Sequence, residues 1–302
     1  MLEAVIPVSD KIEARRSLDR LDMLLKSFAL FWRGDGRLTL HIVVPDEEYE
    51  HFSIWLRRHD ILSNLRIHLL SESEISPVLG SIKSAFGVLK QMLIKLSAFS
   101  FVKTDYCLLL DSDIVACQPF SAGDLIVNGR ALTEWLRPTL YQWWFESARI
   151  LGHEIPEGGL RQPRIFVTPQ IFCRKLLEPM LQDVTHRLGT DWMMGLIAEY
   201  SGEHPNIWTE YTLYDLYAEK HGLRELYHVG PDEQSTPPLH CMKQSIWGAH
   251  SFETWEPGRA LDGADPGYFL VLQSITGSQL DFDLVRQRWH EEIQARFPAY
   301  SP

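Results

Sequence analysis

The sequence predicts an α/β fold in which helices flank a mostly parallel sheet. Strand-like and helix-like patterns alternate through the first 113 residues, and this alternation favours parallel strands joined by right-handed crossovers. The predicted strands are short, nearly continuous apolar runs, as expected of strands buried on both faces. They lie at 4–8, 38–44, 65–70 and 106–110.

The helices between these strands are predicted from the spacing of their apolar residues. The first carries an apolar face with a 3.6-residue period and stops at Gly34 and Gly36. A second helix is predicted at about 47–57. The third has a strongly apolar side and directly precedes the fourth strand; that side is formed by Phe86, Leu89, Met92, Leu93, Leu96 and Phe99. These elements alternate regularly, so they define one sheet.

The second part of the chain is less regular. Short strands are predicted at 114–117, 164–168 and 268–275, and helical sequence begins at Pro169-Gln170. Pro179 is predicted to begin a new helix. Further helices are expected at 191–200, from Glu210 onward and at 281–296, with Gly- or Pro-rich loops at 152–163 and 235–266. We predict one domain over 1–302, in which 119–302 forms a Trp/Pro-rich C-terminal lobe.

Composition excludes several classes of protein. The chain has 302 residues, with 29 basic and 40 acidic side chains and a formal net charge of −11, which argues against nucleic-acid binding. No segment has the roughly 18 apolar residues of a membrane span. The N-terminus is too short and acidic for a signal peptide, which predicts a cytoplasmic protein. Four cysteines without a CxxC pair predict free core thiols.

The stretch that carries the most chemistry is Tyr106-Cys107-Leu108-Leu109-Leu110-Asp111-Ser112-Asp113. It is an apolar run that ends in two carboxylates one residue apart. Alternation along the strand places Asp111 and Asp113 on the same side of the chain, where the strand leaves the sheet. Adjacent carboxylates repel, and a hard divalent cation relieves that repulsion. The stretch therefore predicts a metal site at the carboxyl end of a sheet, although such Asp residues also cap turns.

Together with the preceding Lys90-Gln91-Met92-Leu93-Ile94-Lys95-Leu96, this stretch resembles the GT-A glycosyltransferases that use a DxD motif. The chain is similar to a little-characterised bacterial family of presumed polysaccharide glycosyltransferases. Supporting matches are Thr168-Pro169-Gln170, Trp208-Thr209-Glu210-Tyr211 and Gln273-Ser274. The chain contains neither GxGxxG nor GxxxxGK[ST], so a dinucleotide or P-loop fold is unsupported.

The resemblance implies a GT-A fold and transfer of a sugar from a nucleotide donor, UDP- or GDP-sugar first, with Mn²⁺ or Mg²⁺. It places donor binding in 1–118 and the acceptor, a glycan or a lipid-linked molecule, in 119–302. Bacterial surface polysaccharide or glycoconjugate synthesis is the implied context. A lipid-linked acceptor would bring the enzyme to the inner face of the membrane without a spanning segment.

The resemblance also implies donor-side residues. Asp113 is the main metal ligand, and Asp111 binds the metal, one of its waters or the ribose. A late His often joins the metal or the phosphates in such enzymes; His250 is the first candidate and His240 the second. Lys90 and Lys95 are candidates for the diphosphate, and Asp10 for the base and ribose. For each lysine, the alternative is a solvated side chain on the outer helix face.

On the acceptor side, the resemblance implies a carboxylate at the start of a helix about a hundred residues after the DxD. Glu210 has this position and is the candidate general base or acceptor contact, with Asp191 and Glu134 in reserve. The alternative for Glu210 is simple stabilisation of a helix N-terminus. Trp143, Trp144, Trp208 or Trp247 would stack on sugar faces, although most aromatic residues are core.

Three other classes of function remain open. A haloacid-dehalogenase-like phosphatase also has a DxD after an apolar strand, but that motif lies near the chain start and a lysine and an acidic pair follow it. A nucleotidyltransferase would carry a Gly-rich N-terminal loop. A non-catalytic sugar-binding protein would have lost the DxD, which is intact here. The intact DxD behind four alternating elements favours the transferase.

Overall fold

A computed structural model describes residues 2–10, 17–58, 63–82, 87–165, 167–200, 207–230, 236–273 and 281–298. Phe86 and Ser274, which belong to predicted elements or motifs, lie outside these residues, as does the side chain of His250. The helices are α1 Ser17–Phe31, α2 Tyr49–Arg58, α3 Glu72–Ile75, α4 Pro77–Ser81, α5 Gly87–Leu96, α6 Ala122–Leu125, α7 Tyr141–Leu151, α8 Arg174–Leu188, α9 Trp192–Ala198, α10 Glu210–Lys220, α11 Arg224–Tyr227, α12 Ala249–Glu253, α13 Pro257–Leu261 and α14 Phe282–Arg296. The strands are β1 Glu3–Pro7, β2 Leu38–Val44, β3 Leu65–Ser71, β4 Tyr106–Leu109, β5 Ile114–Ala116, β6 Ile126–Val127, β7 Arg130–Leu132, β8 Gln170–Cys173, β9 His228–Val229 and β10 Phe269–Val271.

The described residues form a central five-stranded sheet in the order β3-β2-β1-β4-β8. The pairs β1–β2, β2–β3 and β1–β4 are parallel, and β8 is antiparallel to β4. The predicted α/β class and its mostly parallel sheet are confirmed. The carboxyl ends of β1, β2, β3 and β4 therefore share one edge, where open α/β sheets bind their ligands.

The central strands bury both of their faces. In β4, Leu108 packs into the hydrophobic cluster that contains α1, whereas Cys107 and Leu109 pack into the cluster that contains α5, α8 and α10. This is the two-sided burial that a nearly continuous apolar run predicts. All four cysteines are buried and free, which confirms the expectation from their spacing.

Several local predictions in the second part of the chain are wrong. No strand is found among the described residues of the predicted segment 164–168, from which residue 166 is excluded. Arg164 makes an isolated bridge with Leu136. The strand is instead β8, where helix was predicted, because Ile171, Phe172 and Cys173 fill the buried position beside β4. Pro179 lies inside α8 and does not begin a helix. Buried packing of that helix outweighs the one backbone hydrogen bond that proline removes.

The chain also turns earlier than predicted at the two carboxylates. β4 ends at Leu109, two residues before Asp111, and Ile114 N–H donates to the carbonyl oxygen of Asp111 at 3.3 Å. The polar segment after β3 forms the short helices α3 and α4. These turns bring polar groups to the carboxyl edge without lengthening the strands.

The C-terminal part returns to the carboxyl edge of the sheet. β10 pairs antiparallel with β5, and Leu272 N–H donates to the carbonyl oxygen of Asp113 at 2.8 Å. The strand β10 therefore brings Leu272 next to Asp113. Within the part of the chain that the structure describes, every helix is too short or too polar to cross a membrane.

Candidate active site

Polar residues gather at the carboxyl edge of the sheet, as the topology requires, and Asp10 and Asp111 among them were predicted. Asp10 follows β1, Glu48 follows β2, Glu72 follows β3 and Asp111 follows β4. Helix α5 lies along this edge and supplies Lys90 and Lys95. This edge is the candidate site, and its centre is a cluster of charges around Lys95.

Lys95 joins two carboxylates that are far apart in sequence. Its Nζ lies 2.7 Å from Oδ1 of Asp111 and 2.9 Å from Oε1 of Glu210. It also donates to the hydroxyl of Tyr211 at 2.9 Å. We call Lys95, Asp111, Glu210 and Tyr211 the Lys95 cluster. A sequence prediction from the donor half and one from the acceptor half thus meet on one ammonium group.

Lys95 is 3% exposed, and burial alone would lower its pKa. The negative charges of Asp111 and then Glu210 outweigh burial and raise the pKa of Lys95 well above its ordinary value. Burial also raises the pKa of the neighbouring Tyr211 hydroxyl, although Lys95 opposes that change. The cluster therefore holds a cationic lysine beside a neutral tyrosine.

Asp111 and Asp113 have different surroundings. The side chain of Asp111 is 32% exposed, and its backbone N–H donates to Oγ1 of Thr168 at 3.3 Å. Asp113 is a buried residue with 8% exposure. A ligand from solvent can therefore reach Asp111 more readily than Asp113.

Lys90 forms a separate buried pair. Its Nζ donates to Oε2 of Glu72, and both side chains are nearly inaccessible. Burial raises the pKa of the Glu72 carboxyl, and the hydrogen bond and charge of Lys90 oppose that rise. The alternative in which both lysines are solvated on the outer helix face is wrong, because both are buried.

The candidate base and ribose site after β1 is held by Glu48. Ser9 Oγ donates to Oε1 of Glu48 at 2.9 Å, and Asp10 N–H donates to Oε2 at 2.7 Å. The carboxylate of Asp10 lies 3.5 Å from Nε2 of His51. Asp10 is thus at the predicted edge with its backbone fixed and its side chain partly accessible.

Other predicted residues have local roles. Asp191 caps α9, where its Oδ1 accepts from the N–H groups of Met193 at 3.0 Å and Met194 at 3.4 Å. It also lines a groove of about 350 Å³ beside the end of α5. Nε2 of His240 lies 2.6 Å from Oγ of Ser245, and burial lowers the pKa of this imidazole to about 3. His250 is in α12, and its side chain is outside the described residues.

A metal ion would find suitable oxygen donors here. In the described part of the chain, no group of three His, Cys, Asp or Glu side chains is arranged for a metal. Asp111 and Asp113 provide two carboxylates, which is the number that Mg²⁺ commonly takes from a protein when substrate phosphates complete its coordination. The donor chemistry of this pair therefore fits Mn²⁺ or Mg²⁺ bound together with a diphosphate.

Sequence analysis missed Tyr211 and Gln170 as members or neighbours of the site. Both residues belong to motifs noted in the sequence, but the sequence does not show which residues they contact. Gln170 lies opposite Leu109 in the β4–β8 pair and is fully buried. Only the pairing of β8 with β4 places it beside the end of β4.

Comparison with known proteins gives a family. Residues 1–293 match the model of a family of unknown function, DUF6492, and the chain belongs to that family. No curated protein matches the sequence. The structure is similar to apo mouse xyloside xylosyltransferase 1, with a TM-score of 0.48 and 14% identity over 76% of this chain and 84% of that one. It is also similar to the apo form of the glycosyltransferase GlyE of Streptococcus pneumoniae TIGR4, with a TM-score of 0.42 and 12% identity over 96% of this chain and 63% of that one.

Proposed function

We propose that this protein is a GT-A-type glycosyltransferase that uses a nucleotide-sugar donor and Mn²⁺ or Mg²⁺. The observation that carries the proposal is the Lys95 cluster, in which the first DxD carboxylate and Glu210 meet on Lys95 at the carboxyl edge of the sheet. This placement agrees with the DxD resemblance. It joins the donor carboxylates to the helix that the resemblance assigns to the acceptor.

The reaction breaks the bond between the anomeric carbon and the diphosphate and forms a bond to an acceptor hydroxyl oxygen, which loses its proton. Bound metal supplies positive charge to the departing phosphates. Asp111 and Asp113 hold that metal, and Lys95 fixes the orientation of Asp111. Asp10 contacts the base or ribose, and Lys90, which is paired with Glu72, stays a candidate for the diphosphate.

Glu210 has two possible roles in this proposal. As a general base it takes the proton of the acceptor hydroxyl; as a contact it only orients that hydroxyl. Its Oε1 is bonded to Lys95 and the residue is 3% exposed, so its position is fixed before an acceptor arrives. We favour the orienting role, because Lys95 already holds one of its oxygens. Asp191, which caps α9, remains in reserve.

Substrates follow from the resemblance. The donor is a UDP- or GDP-sugar, and the acceptor is a glycan or a lipid-linked molecule of bacterial surface polysaccharide or glycoconjugate synthesis. A lipid-linked acceptor would place the protein at the inner face of the membrane. Thermal melting with UDP-, GDP-, CMP- and TDP-sugars, with and without Mn²⁺, identifies the donor, since a ligand at a hundred times its Kd adds about 2.7 kcal/mol of stability.

Asp113→Asn tests the metal carboxylates. With the donor found by melting, we expect metal-dependent donor hydrolysis or transfer to fall by about 100-fold or more, because the lost metal stabilisation is worth several kcal/mol. Donor turnover and release of the nucleoside diphosphate are the measurements. The control is Asp281→Asn, since Asp281 only caps α14 through its Oδ1 and asparagine caps equally well.

Unchanged turnover in Asp113→Asn would contradict the metal assignment. Release of phosphate from a phosphomonoester, without stabilisation by any nucleotide sugar, would favour the phosphatase. Stabilisation by a sugar without turnover would favour the non-catalytic class.

A further inference from the structure

Two buried lysines on α5 have different charge partners. Lys90 pairs with one carboxylate, Glu72, so that pair is balanced. Lys95 is shared between Asp111 and Glu210, so one ammonium serves two carboxylates. The strength of the ion pair between Lys95 and Asp111 therefore depends on Glu210, which lies 115 residues from Lys95 in the sequence.

Lys95 and a divalent cation would act on the same carboxylate. An ammonium 2.7 Å from Oδ1 of Asp111 neutralises part of the charge that attracts the cation. It also repels the cation directly, and both effects are strong where water is scarce. Asp111 is one-third exposed but Lys95 is nearly inaccessible, so the cation arrives at Asp111 while the ammonium remains beneath it.

We propose that Lys95 is an internal counter-ion that weakens cation binding at Asp111, and that Glu210 limits this effect by drawing the ammonium toward itself. This inference rests on the proposed function. It makes Glu210 a positioning residue for the donor side as well as a contact for the acceptor. An acceptor that engages Glu210 would shift Lys95 toward Asp111 and thereby loosen the cation and the diphosphate bound to it.

Binding of Mn²⁺ alone to the full chain, measured by electron paramagnetic resonance without nucleotide, tests the proposal. We expect Lys95→Met to bind Mn²⁺ about tenfold more tightly, because an adjacent positive charge is removed. Glu210→Gln should bind Mn²⁺ several-fold more weakly, since the ammonium of Lys95 then pairs only with the carboxylate of Asp111. Lys220→Met is the control for loss of a positive charge, because Lys220 contacts Leu151 and Asp183.

The double variant Lys95→Met with Glu210→Gln separates coupling from local damage. If Glu210 acts through Lys95, Glu210→Gln has no effect on Mn²⁺ affinity once Lys95 is methionine. The double variant also removes both charges of the buried pair. If Lys95→Met alone does not fold, the double variant is compared with Glu210→Gln, and we expect it to bind Mn²⁺ more tightly than Glu210→Gln does.

Three results overturn the inference. Equal or weaker Mn²⁺ binding by Lys95→Met shows that the ammonium does not oppose the cation. The same effect of Glu210→Gln in both backgrounds shows that Glu210 does not act through Lys95. If the unmodified chain binds no Mn²⁺, both this inference and the metal of the proposed function are wrong. If Asp113→Asn abolishes Mn²⁺ binding but Lys95→Met leaves the affinity unchanged, only this inference is wrong.

Discussion

The Lys95 cluster and a second buried charge network in the same molecule differ in balance. In the second network, Arg164 lies 3.0 Å from Asp215 and 2.9 Å from Glu219, and Arg224 lies 2.7 Å from Asp215. We call these four residues the Arg164 network. Two guanidinium groups meet two carboxylates there, and the side chains of Arg164 and Asp215 are completely inaccessible.

The difference supports the proposed role of the Lys95 cluster. The Arg164 network is balanced, its central pair of Arg164 and Asp215 is closed to solvent, and it ties the start of the segment before β8 to α10 and α11. The Lys95 cluster has an excess of carboxylate and opens to solvent through Asp111. A buried network of paired charges adds little net stability over apolar residues of the same shape. An unbalanced, partly exposed network at a sheet edge can accept a cation.

The largest expected effect is on the closed network. Arg164→Met removes one of the two guanidinium partners of the buried Asp215 carboxylate, with Arg224 remaining, and should lower the free energy of unfolding by about 3 kcal/mol. Urea denaturation measures it. Arg149→Met is the control, because Arg149 is an exposed ion-pair partner and its loss should cost less than about 1 kcal/mol. A loss for Arg164→Met as small as that of the control would show that the network is dispensable.

The next effect is a dependence of stability on pH. His228 lies against the Arg164 network, with Nδ1 2.7 Å from Oγ1 of Thr133 and Nε2 2.8 Å from the hydroxyl of Tyr214. Burial, and then Arg224, lower the pKa of His228 to about 3. The unfolded chain binds this proton near pH 6.5, so stability is full above that pH and falls as the pH drops toward 3.

His228 and His240 should each contribute a loss of about 1.4 kcal/mol per pH unit below 6.5. Urea denaturation at pH 7.5, 6.5 and 5.5 measures the slope, in a range where ordinary carboxylates remain charged. His228→Gln should reduce the slope by about 1.4 kcal/mol per pH unit. His186→Gln should leave the slope unchanged, since His186 is exposed. An unchanged slope in His228→Gln would mean that His228 is protonated in the folded protein.

The smallest expected effect is found beside the Lys95 cluster. Both amide atoms of Gln170 are buried without a hydrogen bond to any described residue, whereas Gln244 donates to Asp265 at 2.8 Å and accepts from Glu256 N–H at 3.0 Å. Gln170→Met should therefore raise the free energy of unfolding by about 1 kcal/mol, and Gln244→Met should lower it by about 1–3 kcal/mol. If both variants lose stability, Gln170 has a hydrogen-bond partner such as an ordered water, and the contrast between the two glutamines is wrong.

Local sequence determined most of the first half of the fold. The apolar runs of β2 and β3 and the 3.6-residue period of α1 are local patterns, and each element is found where its pattern predicts it. Burial on both faces of a parallel sheet imposes the apolar run of β2, and packing of one face on the core imposes the period of α1. The same local evidence located Asp111 and Asp113, because an apolar strand that stops at two carboxylates is visible without any tertiary contact.

Tertiary structure decided β8, the course of α8 through Pro179 and the partners of the charged residues. Gln170–Cys173 is too short to distinguish strand from helix by period, and its pairing with β4 settles the choice. Lys95, Asp111 and Glu210 meet only because α5 and α10 pack on the same face of the sheet. Long-range charge pairs produce no periodic pattern in a sequence. The sequence therefore predicted Lys95, Asp111 and Glu210 separately, and only the packing showed that they meet.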